Sequence, residues 1–485
     1  MLEQLRMVTK IYDLLALCSS YILNNLDEEP YEFATFNDTD YDGVYDAIES
    51  YCNEKLQIGS REAFNNLKDY LLCFMLPEAT IEKCYAIVKY IDDLVEVEID
   101  DMLLGGNHVI QYSTLNEQYN DQIRIIPKMK GTLIENSDYQ FRKKTDDLHS
   151  LLRKRRECAC SLLDKEVVNY MIWNQENKNK YPLTIYRMTE KNPIFKHFYN
   201  KKKMVFGIVP FTDEPITQIL DIRYERRAFY IEQMYPEAEE RLKDKYKDII
   251  NRCRSEDIDF LIFPEMLMSN SIIESLDNIS QSESPQIVVN GSIWEDYSNR
   301  SVITDARGKE IATYYKKEPF EFEKDDITYR EYLKRDKNKK YVMLEIDGIG
   351  RIGIGICKDL VNEEFKLFHK YIKTDILIIP AYTKSMDLQS SAEELTQDYN
   401  CVVVVSNACS ALDGKSVKTD NKRIGFVTVP AKVNTDRFRI IKMYEQNECK
   451  KECTQRCIGR KISIDFSQVE QSESIISYKI NETSF

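Results

Sequence analysis

The stretch "RIGIGICKDL", residues 351–360, decides the fold of the second half of the chain. Its glycine-punctuated apolar run shows no polar alternation before Cys357, as in a strand that is buried on both faces. Lys358 and Asp359 follow at once and predict a turn beyond the strand end. Two hypotheses follow for Cys357: a buried core thiol, since free cysteine is among the most buried residue types, or a nucleophile presented at the strand end.

The segments around this stretch predict two domains, because the pattern of apolar residues differs between the two halves of the chain. From about residue 203, short β-branched runs such as "MVFGIVPF" and "DILIIPA" alternate with helical segments such as "PEAEERLKDKYKDIINRC", a pattern typical of an α/β domain. Before residue 200 the apolar positions recur at spacings of three and four, as in "TIEKCYAIVKYIDDLVEVEI", and predict helices. We therefore expect a mainly α-helical domain over residues 1–200 and an α/β domain over residues 203–485.

Composition narrows the class of protein. A chain of 485 residues is long enough for two cores, and its net charge of −14 argues against a broad nucleic-acid-binding surface. The basic stretch "LLRKRREC" at residues 151–158 is interpreted as a solvated helix face, so a protein or nucleic-acid partner of the helical domain has no support in the sequence.

The cysteines and the N-terminus bear on location. The 13 cysteines are odd in number and scattered, which favours a reducing cytoplasm. The first residues lack a basic region followed by an uncharged apolar core, so we predict neither a signal peptide nor a membrane span.

Three reactive side chains follow predicted strands of the second half. Glu265 closes "FLIFPE", Lys316 closes "IATYYK", and Cys357 closes "RIGIGIC". Sites in α/β folds gather where strands end and loops begin, so these groups can converge although they are far apart in sequence. A thiol, a carboxylate and an ammonium supply the nucleophile, the proton carrier and the oxyanion partner that amide hydrolysis through a thioester needs.

These motifs, in this order, resemble the nitrilase or carbon-nitrogen hydrolase superfamily. The resemblance covers residues 203–470 and includes the framing segments "NGSIW", "VITDARGKEIATYYK", "VVVVSNA", "IGFVTVP" and "ISIDF". The helical half matches no family that we recognise. The resemblance implies an α-β-β-α sandwich that assembles into homo-oligomers and hydrolyses an amide, carbamoyl compound or nitrile, with amide favoured. We expect no cofactor.

The resemblance also implies roles for individual residues. Glu265 would be the general base, Lys316 would stabilise the tetrahedral intermediate, and Cys357 would be the nucleophile, with the Lys358 backbone N–H completing the oxyanion hole. Lys317 is the alternative to Lys316. A second glutamate is expected after the lysine, and Glu323 fits best by spacing, with Glu321 nearly as good.

Lys358 departs from the aromatic or acidic residue that follows the cysteine in many members of this superfamily. An extra ammonium beside Cys357 would favour the thiolate and an anionic substrate. Asp359 is interpreted as a structural residue that holds the turn by an Asx-type hydrogen bond. The alternative function is a nitrilase-like assembly or sensor module that serves the helical domain in a larger complex, such as one of bacterial defence.

Two further motifs are weaker. Cys449, Cys453 and Cys457 in "CKKECTQRC" are the candidate metal ligands, but no adjacent histidine supplies the fourth ligand of a closed zinc site. Tyr90, Asp92 and Asp93 form the Tyr-x-Asp-Asp pattern of reverse transcriptases, yet the surrounding period is helical. We therefore interpret that match as chance.

Overall fold

The structure is a computed structural model, and it divides the chain into two compact units. The first unit comprises Met1–Lys128 and Lys144–Lys180, and the second comprises Met129–Lys143 and Tyr181–Phe485. The structure describes residues 2–8, 11–25, 43–44, 46–47, 50, 61–75, 79–94, 109–111, 123–127, 132–134, 170–174, 183–188, 193–276, 284–334, 339–383, 387–412, 424–433, 442–445, 459–472 and 475–485.

The described part of the first unit has a helical core. Its helices are α1 (Leu2–Met7), α2 (Ile11–Asn25), α3 (Arg61–Phe74) and α4 (Ile81–Leu94), and its strands are β1 (Val109–Gln111), β2 (Ile123–Pro127) and β3 (Tyr170–Asn174). The face of α4 predicted to be apolar is buried, with Cys84, Val88 and Ile91 at 0% exposure in one cluster with α2 and α3. The Tyr-x-Asp-Asp residues lie on this helix, as their period predicted.

The second unit begins earlier than the sequence suggested. Strand β4 (Leu183–Met188) pairs in parallel with β15 (Tyr341–Ile346) over its whole length. The second unit therefore takes in residues that the periodicity had assigned to the helical half. The helices of this unit are α5 (Pro193–Phe198), α6 (Ile216–Ile219), α7 (Pro236–Cys253), α8 (Asn270–Glu274), α9 (Glu363–Tyr371) and α10 (Asp387–Tyr399), with 3-10 turns at Cys357–Val361 and Cys409–Leu412.

Two large sheets form the centre of the second unit. One has the order β4, β15, β16 (Gly350–Ile354), β17 (Ile376–Ala381), β18 (Val402–Asn407), β19 (Gly425–Val429) and β21 (Lys442–Glu445). The other has the order β10 (Ile293–Glu295), β11 (Ser298–Asp305), β9 (Ile287–Val289), β8 (Phe260–Ile262), β5 (Lys203–Ile208), β22 (Arg460–Ser472), β23 (Ile475–Ser484) and β20 (Ala431–Val433), with β12 (Glu310–Tyr315) paired to β11.

The two sheets face each other and carry helices on their outer faces. The Ser406 hydroxyl of one sheet donates to the Ile262 carbonyl of the other at 3.0 Å. Helix α7 packs on the second sheet, where the Tyr246 and Phe263 ring centroids are 4.9 Å apart. This is the predicted α-β-β-α sandwich, preceded by the predicted helical region.

The glycines of "RIGIGIC" are explained by helix α9 and the neighbouring strand. A Cβ on Gly353 would lie 2.4 Å from the His369 ring, and one on Gly355 would lie 2.5 Å from the Phe365 ring. Real Cβ atoms essentially never come this close to another heavy atom, so a larger residue would push the helix away from β16. The spacing of these glycines therefore fixes how closely α9 covers the strand that leads to Cys357.

A smaller sheet lies beside the sandwich within the same unit. It has four strands in the order β13 (Glu321–Lys324), β14 (Ile327–Glu331), β7 (Ala228–Met234) and β6 (Leu220–Glu225). Two hairpins from distant parts of the sequence meet here, because β14 pairs in parallel with β7. We call it the small sheet. Within the described ranges, no helix of either unit is long and apolar enough to cross a membrane.

Candidate active site

Cys357 lies at a sharp turn between β16 and a 3-10 helix. Its φ of 45° is in the left-handed region, which non-glycine residues rarely adopt and which is common at functional sites. The residue is only 3% exposed. The Lys358 N–H lies in the first turn of that 3-10 helix, where backbone N–H groups have no carbonyl partner within the helix. The turn thus offers a thiol and a backbone donor side by side.

Asp359 holds this turn in place, in agreement with its predicted structural role. Its carboxylate accepts hydrogen bonds from the N–H of Ile356 at 3.1 Å and from the hydroxyl of Tyr314 at 2.8 Å. It also accepts from the backbone N–H groups of Lys317 at 3.0 Å and Glu318 at 2.8 Å. One buried carboxylate therefore ties the cysteine turn to the segment that follows Lys316.

Glu265 is held in one orientation by the ends of neighbouring strands. Its N–H donates to the Ala381 carbonyl at 3.2 Å, and its Oε2 accepts from the Tyr382 N–H at 3.1 Å. The charge of this carboxylate raises the pKa of the Cys357 thiol, and both residues line the same cavity. The carboxylate is thus positioned beside the thiol whose proton a general base would take.

Lys316 bridges two buried carboxylates. Its Nζ lies 2.7 Å from Glu265 Oε1 and 2.7 Å from Glu331 Oε2, and all three side chains are at most 1% exposed. An ammonium has three donors, and these two contacts use two of them. Glu265, Lys316 and Cys357, which the sequence placed at three strand ends, therefore meet in one cluster.

Lys317 lies just beyond the end of β12, and its side chain packs against tyrosine rings instead of Glu265 and Glu331. Its Nζ is 3.7 Å from the Tyr314 ring centroid and 4.6 Å from the Tyr341 ring centroid, and it donates to the Lys340 carbonyl at 2.9 Å. Burial lowers the pKa of Lys317 to about 7. Of the two lysines that the sequence left open, Lys316 is the one beside Glu265.

The second glutamate of the cluster is Glu331, which corrects the expectation of Glu323. Glu323 is exposed on β13, where it pairs with Thr328, and Glu321 of the same strand forms an exposed ion pair with Arg330. The β13–β14 hairpin reverses the chain after these residues and returns Glu331 to Lys316. Spacing along the sequence could not reveal this return.

Asn299 is a second residue that the sequence analysis missed. Its Nδ2 donates to Glu265 Oε1 at 3.0 Å and to Glu331 Oε1 at 3.1 Å. The Phe320 N–H adds a hydrogen bond to Glu331 Oε2 at 2.8 Å. Asn299 thus holds the two carboxylates in register around Lys316. Its position in "DYSNRSVITD", on the strand that pairs with the lysine-bearing strand, was the available signal.

Burial and charge set the protonation of the cluster. Burial raises the pKa of the Cys357 thiol, the Glu265 carboxylate raises it further, and the Lys316 ammonium opposes the rise. Burial also raises the pKa of Glu265, against the pull of Lys316. Burial opposes the charge of Lys316, but Glu265 and Glu331 outweigh it and raise its pKa. At neutral pH the resting cluster therefore combines a neutral thiol with a protonated lysine.

A cavity of about 720 Å³ opens onto this cluster. Glu265 and Cys357 form part of its lining, together with the half-buried Lys358. The small sheet forms another part of its lining. The volume lies within the range of pockets that hold small-molecule ligands, and of the cluster Glu265 and Cys357 line it.

Known proteins that are similar to this chain are found among solved structures. No family model matches the chain, and neither does any curated protein. Among solved structures, Nit3 of Saccharomyces cerevisiae, a member of branch 10 of the nitrilase superfamily, shares 15% identity, with a TM-score of 0.30 over 58% of this chain and 90% of its own. The chain is similar to members of the nitrilase superfamily.

Two other solved structures show comparable sequence identity and TM-score. A mutant of the Nesterenkonia AN1 amidase from the nitrilase superfamily shares 13% identity, with a TM-score of 0.29 over 42% of this chain and 76% of its own. A glutamine-dependent NAD+ synthetase from Acinetobacter baumannii shares 12% identity, with a TM-score of 0.35 over 56% of this chain and 48% of its own. At this level of likeness, function must be argued from the site itself.

The candidate metal ligands Cys449, Cys453 and Cys457 lie outside the described residues. Within the ranges that the structure describes, no group of three or more His, Cys, Asp or Glu side chains could hold a metal ion. Described cysteines such as Cys18, Cys253, Cys357 and Cys401 are free thiols.

Proposed function

We propose that the chain is a cysteine-dependent hydrolase of non-peptide carbon-nitrogen bonds, with Cys357 as nucleophile, Glu265 as general base and Lys316 as oxyanion partner. The observation that carries the proposal is the buried Glu265–Lys316 contact beside Cys357, at a cavity large enough for a substrate. An amide is the favoured substrate, ahead of a carbamoyl compound or a nitrile.

In the first half of the reaction the thiol acylates. Glu265 takes the Cys357 proton as the sulfur attacks the carbonyl carbon, and the carbonyl electrons move to oxygen. The Lys316 ammonium and the Lys358 N–H stabilise that oxyanion. The carbon-nitrogen bond then breaks, and the nitrogen takes the proton from Glu265. The amine departs, and a thioester on Cys357 remains.

In the second half water regenerates the thiol. Glu265, now ionised again, takes a proton from water as the water oxygen attacks the thioester carbon. The tetrahedral intermediate collapses to a carboxylic acid, and the leaving sulfur regains its proton from Glu265. The raised pKa of Glu265 suits this role, because the group must both accept and return a proton near neutral pH.

The test is trapping of the thioester. The full chain is incubated with a panel of primary amides, carbamoyl compounds and nitriles, and intact-mass measurement after acid quench detects acyl adducts while ammonia release gives turnover. We expect both signals in the wild-type chain and neither in Cys357→Ala, because no other group replaces the nucleophile.

A matched control separates the nucleophile from cysteine loss in general. Cys401 is also buried, and burial raises the pKa of its thiol as well. We expect Cys401→Ala to keep both turnover and adduct. Full turnover in folded Cys357→Ala would overturn the proposal.

The alternative, an assembly or sensor module, makes the opposite prediction for the thiol. Selective alkylation of Cys357 by iodoacetamide near neutral pH supports an enzyme, whereas an inert thiol supports the alternative. We also propose that the chain forms a homo-oligomer in a reducing cytoplasm. Size measurement of the full chain by light scattering tests the oligomer.

A further inference from the structure

The part of the cavity lining that the small sheet supplies is mostly apolar, unlike the part that Glu265 and Cys357 supply. The small sheet contributes Ile222 and Tyr224 from β6, Phe229 and Ile231 from β7, and Phe322 from β13, and the carboxylates of Glu321 and Glu323 lie in the lining on either side of Phe322. We call the five apolar and aromatic side chains the apolar wall. Pockets recognise ligands through the chemistry of their lining, so this wall indicates which part of a substrate it contacts.

Phe322 is at the centre of this wall. Its ring centroid lies 5.1 Å from that of Phe229, 6.1 Å from that of Phe320 and 5.9 Å from that of Tyr329. Such edge-to-face and stacked pairs hold one another in fixed orientations. The wall is therefore a preformed apolar surface, and its aromatic rings contact one another without filling the cavity.

The charges of the lining do not favour an anionic substrate. Outside the catalytic cluster, Lys358 lines the cavity together with Glu321 and Glu323, so both signs are present. The cation that favours the Cys357 thiolate is Lys316. A substrate that packs on the apolar wall therefore fits this lining better than an anionic substrate that pairs with Lys358.

We infer that the substrate carries a bulky apolar group, of about butyl to octyl or benzyl size, that packs on the small sheet while its carbon-nitrogen bond lies at Cys357. This inference rests on the proposed function and names its substrate class. Primary acetamide or formamide would leave most of a cavity of about 720 Å³ unfilled. Each methylene that leaves water for the wall strengthens binding about fourfold.

Two reagent series test the inference and identify which side of the scissile bond carries the group. N-methyl, N-butyl, N-benzyl and N-octyl iodoacetamides place it on the nitrogen side and alkylate Cys357. The 4-nitrophenyl esters of acetic, butyric and octanoic acid place it on the carbonyl side and acylate Cys357. Rates are divided by those of glutathione with the same reagent.

We expect at least about a tenfold rise in relative rate from the smallest to the largest reagent in one of the two series. In Phe322→Ala that rise should fall below about threefold. If thermal melting shows that Phe322→Ala is unfolded, Ile222→Thr takes its place. This change keeps the branch at Cβ but replaces the ethyl group with a hydroxyl, and it should reduce the rise by about half. Tyr297→Ala, an exposed ring outside the cavity lining, should change nothing.

The outcomes separate this inference from the proposed function. A flat size dependence in both series, with Cys357 still labelled by the smallest reagents, overturns the apolar-group inference alone. A folded chain in which no reagent labels Cys357 overturns the proposed function as well. A rise in the wild-type chain that persists in both wall variants means that another surface binds the group, and overturns the role of the small sheet.

Discussion

The buried cluster around Cys357 and the small sheet both contribute to the lining of one cavity, but different interactions hold each of them in place. The cluster has buried charges that are fixed by directional hydrogen bonds, with Lys316 between Glu265 and Glu331. The small sheet has aromatic and aliphatic side chains that are held by packing, without buried charges between them. Displacing a charge in the cluster therefore leaves another charge unpaired, whereas a change of ring in the wall costs only packing. Substitutions in the cluster should therefore cost more stability than substitutions in the small sheet.

The largest effect is expected when the bridging charge is removed. Lys316→Met leaves Glu265 and Glu331 as two adjacent buried carboxylates and removes the oxyanion partner. Breaking a buried pair costs about 3–5 kcal/mol of stability, and loss of an oxyanion donor costs about 10²–10³ in kcat. Denaturant unfolding and single-turnover acylation measure the two quantities. Near-wild-type acylation in a folded Lys316→Met chain would contradict the role of the lysine.

A smaller effect is expected at Glu331, which belongs to both regions. Glu331→Gln keeps the size of the side chain but removes a negative charge that raises the pKa of Glu265. Because that pKa is raised, kcat/KM of the wild-type chain should fall as pH drops through a value above the ordinary carboxylate range of about 4.3. In the variant that acid limb should move to lower pH, and kcat should drop about tenfold. A pH profile with an unmoved acid limb would show that Glu331 does not set the pKa of the base.

The smallest effect on turnover is expected at Lys317, the neighbour of Lys316. Lys317→Met conserves volume between the two tyrosine rings, so turnover should stay within about twofold of the wild-type value. Its pKa of about 7 in the folded chain is below the value of about 10.4 expected in the unfolded chain. Between these values the unfolded chain binds more protons, so the stability of the wild-type chain rises with pH there.

The Lys317→Met variant should lack that rise in stability. Unfolding free energies at about pH 7 and pH 9.5 measure it, with the exposed Lys309→Met as control. A slope that persists in Lys317→Met would assign the titration to another group.

The sequence predicted the strands and strand-end residues well because their signals are local. The helix Pro236–Cys253 is the predicted segment to the residue, and the runs around Glu265, Lys316 and Cys357 are buried strands or strand ends. Their convergence followed from the rule that sites gather where α/β strands end.

The small sheet was missed because one of its hairpins has no turn signal. Arg226 and Arg227 adopt φ values of 45° and 67°, a conformation for which asparagine, aspartate and glycine are the expected residues. The other hairpin turns at Asp325 and Asp326, which are turn formers, with φ values of 53° and 58°. That signal, in "EFEKDDITYRE", could have predicted the hairpin and hence the return of Glu331 to the site.

The end of β14 joins the small sheet to the buried cluster. Glu331 is the last residue of a strand whose hairpin partner β13 carries Phe322, so the wall and the carboxylate share one hydrogen-bonded register. A one-residue slip of that hairpin would turn its side chains to the opposite faces, and Glu331 would leave Lys316. An exchange of rings on this sheet would therefore leave Glu331 beside Lys316, whereas an insertion or deletion in β14 would change the cavity lining and the buried cluster in a single step.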